Sequence, residues 1–269
     1  MTPKLESTLS SIQNRWRQSS RFQLIVAGLV VFSLLFIGRR LTGPDHLPDF
    51  GDIADASATK EAFFSFLEPH IAAVNQQILE ERTQLQSIRD DAAEDDSPGW
   101  LDRRRLKKLT VAYDMEIPDT YDVAFLDRLL RRVDIIAPSL IIAQAANESA
   151  WGTSRFAKLG NNLFGMRTYE PGTGIVPRKR AAGATWEVAA YDSVRGSIAA
   201  YVHTLNTNDS YRQLRAIRRD LRRKDIPITG HALAGGLLRY SEKGHEYISI
   251  IRSMIRVNKL RHYDVPPSD

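Results

Sequence analysis

The chain has no cysteine. Thiol nucleophiles, disulfide frameworks and Cys-ligated zinc or iron–sulfur sites are therefore excluded. The histidines number six and lie scattered, without ligand spacing. His245-Glu246 opens like the HExxH zinc signature, but residue 249 is serine, so the second ligand is missing. No metal and no organic cofactor is expected. Internal repeats and long low-complexity tracts are also lacking. Acid is in deficit, 32 Asp and Glu against 37 Lys and Arg, with an isoelectric point near 9.4. That balance favours anionic partners: nucleic acid, acidic lipid or an acidic polymer.

What is present suits a folded protein, with 43% hydrophobic and 26% charged residues in 269. The length allows one sizeable domain plus an accessory segment. From Phe22 to Gly38 the chain carries no charge over seventeen residues, the short end of a bilayer span. Arg39 and Arg40 follow in place of a cleavage site, so the run reads as an uncleaved transmembrane anchor. Lys4, Arg15, Arg17 and Arg21 precede it and place residues 1–21 in the cytoplasm. In a bacterium the remainder would occupy the periplasm, anchored by a single pass through the inner membrane. Nucleic acid is then not a partner.

Residues 39–58 hold Gly43-Pro44, Pro48 and several aspartates and read as a linker. Residues 59–117 form an accessory helical segment. Its main helix, Lys60–Arg89, repeats Phe63, Phe64, Leu67, Ile71, Val74, Ile78 and Leu85 at helical spacing. Shorter helices are expected at Leu101–Tyr113 and Tyr121–Val133. Pro138 suits a first turn, and the pattern continues from Leu140 to Trp151. Thr153 can cap a further turn that stops at Gly160. Between Phe164 and Tyr191, Pro and Gly punctuate short extended pieces, Thr185–Tyr191 the clearest, so a small β-hairpin is expected. Helices resume at Ser193–Asn206, Tyr211–Arg223, Gly230–Arg239 and His245–Asn258. The fold class is mostly α, with a domain at 118–262 and a tail at 263–269.

Glu148 is the unusual residue. It stands in Ala143-Gln144-Ala145-Ala146-Asn147-Glu148-Ser149-Ala150-Trp151, a helix too apolar for a solvated face, and shares a side with Gln144 and Ile141. Such surroundings disfavour the ionised carboxylate. A glycosidic leaving oxygen needs an acid of that kind to protonate it. The plainer alternative is an ion pair with Arg131, Arg132 or Arg155.

The string Ala143–Gly152, followed by Gly160-Asn161-Asn162-Leu163-Phe164-Gly165, resembles the glucosaminidase family of peptidoglycan hydrolases, and within it the bacterial Bax-type proteins. The resemblance covers about residues 118–262. It implies a lysozyme-like fold with a small β-lobe beside the cleft, and Glu148 as catalytic acid. The implied reaction is hydrolysis of the β-1,4 bond after N-acetylglucosamine in peptidoglycan, an endo-β-N-acetylglucosaminidase activity. Leu237–Tyr247 is similar to the family's tyrosine motif: Tyr240 matches its cleft-facing tyrosine and Tyr247 a second one. Glu242-Lys243-Gly244 replaces the family's Thr-Asp-Pro, which alters the loop.

A second carboxylate is usual in glycosidases. Glu187, Glu170 and Asp192 are candidates; Glu187 ranks first, and Asp192 reads as a helix cap. The substrate's own 2-acetamido group is the other option. Trp151, Phe164, Tyr201 and Tyr240 offer rings to a sugar, Tyr247 a further contact, and Gln144, Asn161 and Asn162 amides. Trp151 and Phe164 read equally as core, Tyr240 also as a helix-end core aromatic, and Asn161 and Asn162 also as shaping a turn. Arg215–Lys224 holds six positive residues; this reads as a solvated face or as attraction to acidic wall peptides or anionic lipid. Leu101–Lys108 repeats the theme. Rival readings are a lytic transglycosylase and a wall-binding module without turnover. A nucleic-acid-binding protein rests on charge alone.

Overall fold

The computed structural model describes residues 46–94, 97–178, 180 and 183–264. The apolar run 22–38 lies outside them. No helix among the described residues is long and apolar enough to cross a membrane.

The helix that carries Glu148, here α4 (Pro138–Ser149), is buried on every side from Ser139 to Ala146. A helix apolar all round has to be a core element, and the rest of the chain wraps it. The first wrapping layer is α1 (Ala56–Ala93), started by Asp55, whose side chain accepts from the Ala58 N–H. Phe63, Phe64, Leu67, Ile71, Val74 and Ile78 of α1 join the core of α4. Each such side chain contributes roughly 1.5–3 kcal/mol by leaving water. Farther along, Leu85 and Ile88 enter a second cluster with α2 (Trp100–Ala112) and α3 (Val123–Leu130). The expected accessory helix is thus packed into the domain rather than held away from it.

The segment before α1 is docked too, although it reads as linker. Phe50 is buried, 5.4 Å edge-on from Phe63, and Asp49 pairs with Lys158 at 2.6 Å. The turn after α4 leads into α5 (Arg155–Gly160), capped by Ser154 rather than Thr153. Thr153 instead donates its hydroxyl to the Ala150 carbonyl.

In place of a hairpin there is a three-stranded antiparallel sheet of β1 (Arg167–Thr168), β2 (Gly174–Ile175) and β3 (Glu187–Ala189). Its order is β1-β3-β2, with Arg167 opposite Val188 and Gly174 opposite Ala189. The last strand returns between the first two, pairing with both. At Gly174 a Cβ would collide with the Val188 carbonyl, so only glycine lets β2 approach β3 so closely.

Beyond the sheet run α6 (Val194–Thr207), α7 (Arg212–Arg223), α8 (Gly230–Leu233) and α9 (His245–Val257). Ser193, not Asp192, caps α6. The helix expected over Gly230–Arg239 stops at Leu233 and tightens into a 3-10 turn, Ala234–Gly236. Gly236 lies against the Leu214 backbone, where a Cβ would not fit. Asp264 supplies the cap that α4 lacks at Ala137: its carboxylate accepts from the Ser139 N–H at 2.9 Å, the Ser139 hydroxyl and the Gly230 N–H.

The basic helix α7 is solvated only in part, with Arg222 and Arg223 exposed. Arg215 and Arg218 are buried. Arg218 donates to the carbonyls of Asp134, Ile135 and Arg131 and to Asn206. Asp134 is buried among Arg222, Arg82 and Arg218, at 2.7, 3.3 and 3.5 Å. Burial alone would raise its pKa, but Arg218, Arg222 and Arg82 outweigh that and hold it below the ordinary value. Burial brings Arg218 down to about 10, which leaves it charged at neutral pH.

Candidate active site

Three successive residues at the end of α4 have positive φ: Ala150 (49°), Trp151 (58°) and Gly152 (78°). Two of them bear side chains, at a strain of about 1–3 kcal/mol each. Ser149 braces the turn by accepting from the Gly152 N–H at 2.8 Å while donating to Ala145. A Cβ at Gly152 would press on the Phe50 and Phe63 rings. The turn points the chain away just after Glu148, leaving that residue half-buried at the rim of the core.

Glu148 has no ion pair among the described residues. Arg132 and Arg155 bond instead to the carbonyls of Tyr113, Asp114 and Val176. Its Oε1 accepts from the Tyr247 hydroxyl at 2.7 Å and from the Asn147 amide at 3.0 Å. Oε2 has no protein partner among the described residues. Behind Tyr247 the donors form a chain with one direction. Gln144 donates from Nε2 to the Tyr247 hydroxyl at 2.9 Å, and Tyr201 donates to Gln144 Oε1. Gln144 and Tyr201 are fully buried. Every amide and hydroxyl in the chain is used, so the Tyr247 proton is aimed at Oε1. In the acid form of Glu148 the proton then belongs on Oε2.

Burial first, then Tyr240 and Glu148, push the Tyr247 hydroxyl up, so it stays a donor throughout the physiological range. Tyr240 stacks on Tyr247 at 5.2 Å, with its hydroxyl 3.1 Å from the Phe164 carbonyl. Burial and the nearby Glu148 raise its hydroxyl as well. The two tyrosines therefore back Glu148 with neutral hydroxyls.

Several residues expected to touch a sugar lie behind the site and hold it up. Phe164 is buried and stacks on Tyr201 at 4.0 Å. Asn162 donates to the carbonyls of Met166 and Ala189 and accepts from the N–H groups of Phe164 and Met166. Asn161 takes up φ of 50° at the end of α5 and bonds to the Tyr191 carbonyl and the Leu47 N–H. Their amides are spent on the backbone, tying the turn to the sheet. Trp151 packs on α1, against Phe64 at 5.4 Å and under Lys60. Gln144, Tyr201, Phe164, Asn161 and Asn162 are thus buried and engaged within the protein, and Trp151 is half-buried against α1.

Glu187, ranked first as second carboxylate, is also turned inward. Its oxygens accept from the N–H groups of Gly172 (3.2 and 3.3 Å) and Gly174 (2.9 Å), closing the loop between β1 and β2. Glu170 and Asp192 are exposed. The residues missed in the sequence are Asp264, Asp134 and Asn147. Only Asn147 carried a local signal, being a polar neighbour of Glu148 in a largely apolar run.

Removing the Tyr247 hydroxyl would leave Gln144 without its acceptor and Glu148 free to turn. Tyr247→Phe is expected to lower kcat roughly 10–100-fold with KM nearly unchanged. A kcat within about twofold of the parent would show that the chain of donors does not orient Glu148.

A family model described as Mannosyl-glycoprotein endo-beta-N-acetylglucosaminidase matches residues 124–260. The chain is similar to Protein bax of Escherichia coli (strain K12), 34% identical over 218 residues, covering 79% of this chain and 74% of that protein. Its fold aligns with the crystal structure of the catalytic domain of the autolysin Auto from Listeria monocytogenes over 68% of this chain and 86% of that one, at 22% identity and a TM-score of 0.37. The family match begins within α3 and ends just after α9, enclosing Glu148, the sheet and both tyrosines. The chain belongs to the glucosaminidase family of glycoside hydrolases.

Proposed function

We propose that this protein is an endo-β-N-acetylglucosaminidase that cuts the β-1,4 bond after N-acetylglucosamine in peptidoglycan strands, with Glu148 as general acid. The observation that carries the reading is the Glu148 carboxyl, held through Oε1 by Tyr247 and open at Oε2. In the first step the Oε2 proton moves to the glycosidic oxygen as the C1–O bond breaks. The leaving sugar departs with a neutral hydroxyl, and Glu148 is left ionised. Tyr247, donating to Oε1, stabilises that carboxylate.

The positive charge at C1 needs a partner. With Glu187 engaged by the backbone N–H groups of Gly172 and Gly174, the substrate's 2-acetamido oxygen is the better candidate. It closes on C1 to give an oxazolinium, which water then opens while Glu148 takes the water's proton. Net retention of the anomeric configuration, followed by NMR on a short oligomer, is the expected outcome; an inverted product rules this step out.

Digestion of purified sacculi tests the bond cleaved. Reducing N-acetylglucosamine ends are expected by mass spectrometry. Anhydro-muramyl ends would make the protein a lytic transglycosylase instead, and no released fragment would leave a binding module. The apolar run 22–38 supports export and anchoring; a periplasmic reporter fused after Asp269 that stays inactive would overturn that placement.

A further inference from the structure

The basic residues of α7 meet those of α1 and of the turn after α3 around a cavity of about 480 Å³. None of its lining residues belongs to the Glu148 site. Eight arginines and two aspartates line it, an excess of six positive charges. Structure explains part of this set. Arg82, Arg218 and Arg222 hold Asp134, Arg215 donates to the carbonyls of Leu205 and Asn208, and Arg89 holds Asp127 at 2.9 Å. Others have no such account. Arg131 and Arg223 have no hydrogen bond or carboxylate partner for their side chains among the described residues. Arg219 has only the exposed Asp220.

Guanidiniums gathered this way repel one another. Burial and then Arg132 bring Arg215 down to about 10. A second basic hollow shares Arg131, Arg215 and Arg219 and extends the field toward Arg128, Arg132 and Arg212. Arg131 and Arg223 are exposed at the mouth of this concavity, and the net positive charge around it favours an anion there. The planar forks of arginine suit carboxylate and phosphate alike. A single carboxylate would cancel one charge and offer two oxygens, whereas a phosphate group carries close to two charges and three strong acceptors. The volume lies in the range of small-ligand sites.

We propose that this cavity binds a phosphate-bearing ligand, through Arg131, Arg219 and Arg223. The phosphate comes either from a soluble polyphosphate ester or from a lipid headgroup. This inference stands independently of the reaction assigned to Glu148.

The test uses the full chain in neutral-detergent micelles. Inorganic pyrophosphate is titrated against chloride of matched ionic strength, and the unfolding temperature is followed. In parallel, micelles are doped with phosphatidylglycerol or with phosphatidylcholine. A saturable rise of roughly 3–6 °C is expected once the ligand is about tenfold above its Kd. The double variant Arg131→Gln/Arg223→Gln should weaken that response at least about tenfold. It should keep the ligand-free unfolding temperature and the release of fragments from sacculi. Arg104→Gln/Lys108→Gln removes the same charge from α2, away from the cavity, and should leave the response intact.

A pyrophosphate response lost only in the cavity variant supports a soluble ligand. A response to phosphatidylglycerol alone, lost in the same variant, supports a headgroup. The proposal is overturned if neither probe exceeds its control, or if both double variants lose the response equally.

Discussion

Glu148→Gln should slow cleavage of sacculi on the order of 10³-fold, while leaving substrate binding and folding nearly untouched. The amide has the shape of the acid. Its oxygen can still accept from Tyr247 and Asn147, so the hydrogen bonds at Oε1 persist. What disappears is the transferable proton at the Oε2 position. An alkoxide leaving from C1 without a proton is a poor leaving group, and that is where the barrier rises. The unfolding temperature should stay within a few degrees, because no buried charge is left unpaired. Fragment release measured against time separates this from misfolding: the variant should bind sacculi as the parent does and release almost nothing. Release at the parent's rate would mean that another group supplies the proton, or that none is needed.

Asp134→Asn carries the largest expected loss of stability. Asp134 is buried with its carboxylate shared among Arg82, Arg218 and Arg222, and Arg218 is itself fully buried. Removing one partner from a buried charged group strands the others, typically at about 3–5 kcal/mol. For a domain of this size that is a fall of roughly 6–20 °C in unfolding temperature. The pH dependence has a defined sign. The folded state holds the Asp134 pKa below its unfolded value. Its contribution is therefore complete above an unfolded pKa of about 3.9 and is lost as pH falls through the lower folded value. The gap between parent and variant should be widest near neutrality and close under acid. A constant gap from pH 7 to pH 2 would show that the arginines do not stabilise this carboxylate.

The sequence made the helices and the acid legible for different reasons. Apolar spacing located α1, whose one buried face repeats at the helical period, whereas α4, apolar all round, was marked by Pro138 at its first turn and by its apolar run. Glu148 stood out as a charged residue in an apolar run. Cap positions slipped by one residue at Thr153/Ser154 and Asp192/Ser193, where two neighbours can each cap and only the geometry of chain entry decides. The order of the sheet was not legible, since strands of two or three residues leave almost no alternation to read.

Residue type alone left open which of the candidate site residues could face a sugar and which are held inside the protein. Aromatic rings and amides suit sugar binding by type, but whether they face a cleft depends on what packs over them. For Tyr201 the warning was present. It shares the apolar stripe of α6 with Ile198, Val202 and Leu205, which marks a core position. For Asn161 and Asn162 it lay in the turn they had to hold. The Asp134 cluster joins residues more than eighty positions apart, beyond the reach of any local pattern.

A proton donor is identified most directly by how its loss depends on the leaving group. Parent and Glu148→Gln should be compared on sacculi and on a 2,4-dinitrophenyl glycoside of an N-acetylglucosamine oligomer, whose phenolate leaves without being protonated. The expected result is a loss on the order of 10³-fold on sacculi and within about tenfold on the aryl glycoside. An equal loss on both substrates would contradict Glu148 as the general acid.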